Sequence, residues 1–177
     1  TPVSPGYYTV ASFNNATAFD MPTGENHLGL RHTTQTICPA GYYCLTNGLA
    51  YECPAGRYGS TEGLTSSTCS GPCQAGYYCP ATSSNATAFS CGSVEYFCRE
   101  GSAVPRLVQD GYYTIDGEGA EGPYLGTVDT RSWERKCEPG YYCVDGVKRM
   151  CEPGYYGGLF RETRSKCQGG CQEGYYC

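Results

Sequence analysis

The stretch CPAGYYC, Cys38 to Cys44, recurs as CQAGYYC at 73–79, CEPGYYC at 137–143 and CQEGYYC at 171–177. A turn, two tyrosines and a cysteine pair at fixed spacing mark a structural unit, because a catalytic loop is rarely copied within one chain. In C-P-A-G, Pro39 pre-sets φ for the second position of a β-turn and Gly41 supplies an easy exit. In C-E-P-G the same task shifts to a type II turn, with Gly140 at the position needing positive φ. The tyrosine pair then enters an extended segment, where aromatics are favoured and successive side chains face opposite ways.

Composition explains why the unit is needed. Among 177 residues, Leu, Ile, Val and Phe number 23, too few for a sizeable aliphatic core. The 14 cysteines and 18 tyrosines take its place. Chains that bury little apolar area are held by cross-links, each worth roughly 2–4 kcal/mol. A dense, even cysteine set implies an oxidising compartment, hence an extracellular, secreted or cell-surface protein. A zinc site is disfavoured, since the chain has no C-x2-C spacing and only two His. No apolar run approaches the ~20 residues of a membrane-spanning helix. No signal peptide is present, which points to a processed chain or a piece of a longer one. Net charge is −5, and eight of the 12 basic residues fall between Arg131 and Lys166 with acids among them. That is a mixed solvated surface, so no nucleic-acid partner is expected.

The chain aligns with itself. Cysteines 38, 44, 53, 69, 73 and 79 reappear as 137, 143, 151, 167, 171 and 177, with 20 identities over 41 aligned positions. Upstream, PGYYTV (5–10) matches DGYYTI (110–115). The chain thus reads as two repeats: residues 1–105 with eight cysteines, and 106–177 with six, which stop before the equivalents of Cys91 and Cys98. If both copies pair alike, the six shared cysteines close among themselves and Cys91 pairs with Cys98. The expected fold is small and disulfide-rich, mostly β-hairpins and loops with little helix, in an elongated tandem array.

Gly-Tyr-Tyr occurs seven times, and an eighth site reads Gly56-Arg57-Tyr58. The first position tolerates Arg, so it is expected to be exposed, while the second keeps Tyr and is expected to pack on a disulfide. The packing set is then Tyr8, Tyr43, Tyr58, Tyr78, Tyr113, Tyr142, Tyr156 and Tyr176. The contact set is Tyr7, Tyr42, Tyr77, Tyr112, Tyr141, Tyr155 and Tyr175. One tension stands: in a regular strand Tyr42, not Tyr43, shares the face of Cys44.

CPAGRYGSTEGLTSSTCSGPCQAGYYC (53–79) resembles the cysteine-rich repeats described as ephrin-receptor-like, related in style to tumour-necrosis-factor-receptor modules. Such repeats occur in tandem in large extracellular surface proteins of algae and other unicellular eukaryotes. The resemblance covers both six-cysteine blocks, and the second departs from it at Glu152, in place of the first proline. It implies bridges Cys53–Cys69 and Cys151–Cys167, with the tyrosine of C-x2-G-x-Y against that link. The other four cysteines of each block allow three pairings.

Two sequons, Asn15-Ala-Thr and Asn85-Ala-Thr, are candidate N-glycosylation sites in a secreted chain. The second repeat contains no Asn. His27 and His32 lack a nucleophile or acidic partner pattern, and DGEGAEG (116–122) lacks the ligand spacing of an EF-hand. No catalytic residues, metal ligands or cofactor site are expected, and the chain is read as not an enzyme. Trp133, in TRSWERK, is either an interface anchor or a cover for a neighbouring disulfide. The expected role is a structural, self-associating repeat of an extracellular glycoprotein filament, surface hair or coat, whose partners are other copies of itself or neighbouring repeats. The alternative is a ligand-binding or adhesive ectodomain of a cell-surface receptor.

Overall fold

Among the described residues six of the seven Gly-Tyr-Tyr units start a hairpin, as does Gly56-Arg57-Tyr58, because the glycine closes a turn that no other residue closes as easily. In the computed structural model, which describes residues 2–11, 32–117 and 129–177, the amide of the first tyrosine donates back three residues. Tyr42 N–H meets the Pro39 carbonyl at 3.2 Å, and Tyr141 N–H meets that of Glu138 at 3.2 Å. The glycine thus sits third in the turn, and all eight of these glycines have positive φ, from +75° to +87°. This is the type II pattern in both sequence variants. It corrects the expectation for C-P-A-G, in which Pro39 occupies the first turn position and not the second.

Among the described residues sixteen short strands form eight separate two-stranded antiparallel hairpins, and no helix occurs. In chain order the hairpins are β1 (Tyr7–Ala11) with β2 (His32–Ile37), β3 (Tyr42–Cys44) with β4 (Ala50–Glu52), and β5 (Arg57–Tyr58) with β6 (Gly71–Pro72). Next come β7 (Tyr77–Tyr78) with β8 (Phe89–Ser90), β9 (Tyr96–Phe97) with β10 (Arg106–Leu107), and β11 (Tyr112–Ile115) with β12 (Trp133–Lys136). The last two are β13 (Tyr141–Val144) with β14 (Val147–Met150), and β15 (Tyr155–Tyr156) with β16 (Gly169–Gly170). An isolated hairpin is marginal in water, so these need each other.

The seven disulfides run in sequence order without interleaving: Cys38–Cys44, Cys53–Cys69, Cys73–Cys79, Cys91–Cys98, Cys137–Cys143, Cys151–Cys167 and Cys171–Cys177. Of the three pairings open to the remaining four cysteines, the short-range one is adopted in both blocks. Cys53 and Cys151 instead bridge forward to Cys69 and Cys167, and in their hairpins the residue after the second tyrosine is a glycine, Gly59 or Gly157. The reason is space. A Cβ on Gly59 would lie 2.8 Å from Cys53 Sγ, and one on Gly157 would lie 2.9 Å from Cys151 Sγ.

One further copy of the motif hides in the sequence. Glu95-Tyr96-Phe97-Cys98 is a degenerate Gly-Tyr-Tyr-Cys: Tyr96 N–H donates to Ser93 O and Val108 N–H donates to Glu95 O, as in the other hairpins. Glu95 lacks positive φ, so here the turn closes differently. Hairpins β1–β2 and β11–β12 replace the stapling cysteines with Val3/Thr9 and Val108/Thr114. The period of the long repeat is therefore five hairpins.

By contacts the chain divides into two compact units: Thr1–Cys73 with Cys79–Ala88, and Gln74–Tyr78 with Phe89–Cys177. This is a different division from the sequence repeats at 1–105 and 106–177, since Cys91–Cys98 of the first repeat lies in the second unit. The cause is that hairpins bond to their successors. In the first unit Gly6 N–H donates to Cys44 O, Gly41 N–H to Gly59 O and Gly56 N–H to Cys79 O, at 3.4, 2.8 and 2.8 Å. In the second unit Gly76 N–H donates to Cys98 O, Gly140 N–H to Gly157 O and Gly154 N–H to Cys177 O, at 2.8, 2.7 and 3.5 Å. Each bond carries a turn glycine into the next hairpin along the chain.

Candidate functional site

The tyrosine faces are the candidate site, and the structure divides them differently from the sequence pattern. Tyr8 and Tyr113 are buried. Tyr8 clusters with Cys38 and Cys44, and Tyr113 with Ile115, Cys137 and Cys143. Each ring thus covers the disulfide of the next hairpin, contributing roughly 1.5–3 kcal/mol by burial.

Tyr43, Tyr58, Tyr78, Tyr142 and Tyr156 instead lie opposite partners in their own strand pair. Tyr43 stacks on Tyr51 at 5.4 Å between centroids, and Tyr78 lies 5.5 Å from Phe89. Tyr58 and Tyr156 stand opposite Gly71 and Gly169, whose missing side chains leave room for the ring edge. Tyr142 pairs with Arg149. Tyr156 and Tyr176 correct the packing assignment outright, being 48% and 100% exposed. Tyr156 stands opposite Gly169, which offers its ring no side chain, and Tyr176 lies in no strand among the described residues.

The first tyrosines are not a uniform exposed row either. Tyr7 and Tyr175 are exposed, at 37% and 77%. Tyr42 and Tyr141 instead pack against the two disulfide clusters, on the face of Cys44 and Cys143 as strand alternation requires. Tyr77, Tyr112 and Tyr155 are half-buried. In the second unit cations cap these rings: Arg161 lies 4.9 Å from Tyr112, Lys148 4.5 Å from Tyr141 and Lys166 5.5 Å from Tyr155. Such contacts contribute ~0.5–1 kcal/mol when exposed. Trp133 is half-buried against the Cys137–Cys143 cluster, with the Arg99 guanidinium 3.8 Å from its ring. It is a cover more than a free anchor.

One polar network was invisible in the sequence. The Tyr113 hydroxyl donates to Glu138 Oε1 at 2.9 Å, and Lys148 Nζ donates to Glu138 Oε2 at 3.1 Å. Lys148 also lies 4.8 Å from the Tyr113 ring. Burial opposes ionisation of Glu138, but bonds from Tyr113, its own backbone and Lys148 outweigh it and hold its pKa below the usual value. Burial, then donation to Glu138, raises Tyr113. For Lys148 burial lowers the pKa, but the Glu138 bond and neighbouring charges prevail and raise it. The depressed Glu138 adds stability that is present above the unfolded pKa of ~4.3 and lost as pH falls through the folded value. The raised Lys148 and Tyr113 add stability present below ~10 and lost as pH rises through their folded values. Urea unfolding as a function of pH should show an acid limb that Glu138→Gln flattens; an unchanged acid limb in that variant would contradict the network.

Of the remaining candidates, Asn85 is exposed, and its Oδ1 accepts from Thr87 N–H at 3.0 Å and from the Thr87 hydroxyl at 3.1 Å. Asn15 and His27 lie outside the described residues, and His32 begins β2. Residues 116–122 are described only to Gly117. Among the described residues no group of His, Cys, Asp or Glu is placed to hold a metal ion, and no helix is long and apolar enough to cross a membrane. An open cleft of about 390 Å³ is lined by Tyr156, Gly170, Cys171, Gln172, Tyr175, Tyr176 and Cys177. No protein-family model matches the chain, and no curated protein matches it.

Proposed function

We propose that the chain is a structural, self-associating repeat component of an extracellular glycoprotein filament, surface hair or coat. One observation carries the reading: successive hairpins join through the same glycine N–H bond, used six times. Contacts that any hairpin can offer to the next have no built-in stop, and open head-to-tail contacts of that kind generate filaments when rotation does not close. Fourteen cysteines in seven bridges suit an oxidising compartment. The exposed Asn85 turn suits an N-linked glycan on the first repeat. The resemblance to tandem ephrin-receptor-like repeats supports the same role.

Sedimentation velocity of the oxidised chain over a wide concentration range, with negative-stain microscopy, tests this. Mass growing with concentration and linear particles are the expected result. Monomers dispersed at the highest concentration would overturn it. A monomer that captures one soluble ligand in its tyrosine-lined cleft would favour the receptor-ectodomain alternative.

A further inference from the structure

The cations that cap tyrosines in the second copy have no counterpart in the first. Where the second copy has Lys136, Lys148, Arg161 and Lys166, the first has Ile37, Ala50, Gly63 and Thr68. Lys148 is matched by the Glu138 carboxylate at 3.1 Å. Lys136 and Arg161 are not matched: among the described residues neither has a carboxylate within ion-pair distance. Yet they flank one ring. Lys136 is the partner of Tyr112 across β11–β12, and the Arg161 guanidinium lies 4.9 Å from the Tyr112 ring. The first copy shows how near the two positions are, since Ile37 Cδ1 lies 3.6 Å from where a Cβ on Gly63 would stand. Like charges at neighbouring positions repel, and an anion shared between them removes the repulsion. Glu134, two residues before Lys136 on β12, accepts from Gln109 N–H at 3.4 Å instead.

The fold sets the backbone of Arg161. Its N–H donates to the Cys137 carbonyl at 2.9 Å, and its own carbonyl oxygen stands 2.5 Å from where a Cβ on Gly111 would lie. This joint holds a left-handed backbone, with φ +73° at Gly63 and +66° at Arg161. Glycine adopts it freely and arginine does not, so the cation is carried there against a backbone cost. The guanidinium gives one bond to the Asp110 carbonyl, at 3.5 Å, and keeps other donors of its planar fork for an anion. The Tyr112 hydroxyl has no hydrogen-bond partner among the described residues. Lys136 and Arg161 are exposed, with β9–β10 before this joint and β15–β16 after it. Ile37, the counterpart of Lys136, is likewise exposed with β3 to β8 following it.

We propose that Tyr112, Lys136 and Arg161 form an anion-binding site of the second unit, and that its ligand is an acidic polysaccharide bearing sulfate or carboxylate groups. Arg161 grips the anionic group through its fork, Lys136 supplies the second charge, and the Tyr112 hydroxyl bonds a sugar hydroxyl. Two things favour a polysaccharide over an acidic peptide. Seven disulfides suit an extracellular setting, and Tyr112 offers a neutral donor to a hydroxyl-rich partner. The site needs no second copy of the chain, so it stands or falls apart from self-association.

Calorimetry on the intact, oxidised chain tests it, with a short dextran sulfate, oligogalacturonate, neutral dextran and a short poly-glutamate as probes. The expected result is saturable, salt-weakened binding of one or both charged sugars and none of dextran. Which of the two binds identifies the anionic group. Arg161→Gly and Lys136→Ile, which install the residues of the first copy, should each weaken binding about tenfold. Arg164→Ser makes the same charge change at an exposed position outside the three residues, and should leave affinity within about twofold. Because Arg161→Gly frees a left-handed position, its loss of binding should come with unchanged amide dispersion in the proton spectrum. Equal losses in Arg161→Gly and Arg164→Ser would reduce the effect to net charge and overturn the proposal. Poly-glutamate bound as tightly as the sugars, or neither charged sugar bound, would overturn it as well.

Discussion

Full reduction of the disulfides unfolds the chain at neutral pH without denaturant. The expectation comes from the composition of the buried interior. Among the described residues, the largest fully buried side chains apart from Ile115 are all half-cystines. Five bridges close short loops, with sequence separations of 6 or 7, and two close loops of separation 16. On the loop-entropy estimate these contribute ~2 and ~3 kcal/mol each, roughly 16 kcal/mol in all. Because the loops do not interleave, the contributions are close to additive. Native domains of this size are stable by only ~5–15 kcal/mol, so the loss equals or exceeds the whole margin. Proton NMR before and after reductant is the check. Collapse of amide dispersion into the random-coil range is expected, and dispersion retained in the fully reduced chain would mean that packing alone holds the hairpins.

The hairpin content and the scarcity of helix, met among the described residues, were legible because the signal is local. Gly-Tyr-Tyr specifies a turn and an extended pair with no help from distant residues. The bridges Cys53–Cys69 and Cys151–Cys167 were implied by the resemblance, and Cys91–Cys98 by parity between copies. The engagement of one hairpin with another was not legible, since it depends on contacts between segments with no sequence signature of partnership. Tyr51 and Phe89 become the partners of Tyr43 and Tyr78 only once strand register is known.

Two signals were present but easily missed. Glu95-Tyr96-Phe97-Cys98 lacks the glycine that defines the motif, and it emerges only by matching Tyr-Phe-Cys to Tyr-Tyr-Cys. Gly59 and Gly157 read as ordinary turn glycines, although their smallness answers a sulfur atom 2.8–2.9 Å from where a Cβ would be. The division of the tyrosines into buried and exposed halves was too simple for a physical reason. Tyr8 and Tyr113 are covered by the disulfide of the next hairpin, whereas Tyr43 and Tyr78 are covered by rings across their own strand pair, so place in the motif alone does not set burial. Tyr113 and Tyr176 occupy the same motif position, yet one is 2% and the other 100% exposed.

Turn glycines are held by the hairpins beyond them, and one matched pair of substitutions isolates that effect. Gly76 and Gly140 have nearly the same backbone, with φ of +87° and +86°, and both lie in the second unit. Alanine at either site incurs the left-handed penalty of ~1–2 kcal/mol. At Gly76 the added Cβ would also lie 2.5 Å from the Thr130 carbonyl oxygen, whereas at Gly140 it would meet nothing within 4 Å. Backbone must then move at the first site alone, adding ~1–3 kcal/mol. Thermal and urea unfolding of Gly76→Ala and Gly140→Ala, side by side in the oxidised chain, is the measurement. A loss at Gly76 larger by ~1–3 kcal/mol is the predicted result. Equal losses would show that only the turn conformation is at stake, and would contradict the interlocking of hairpins.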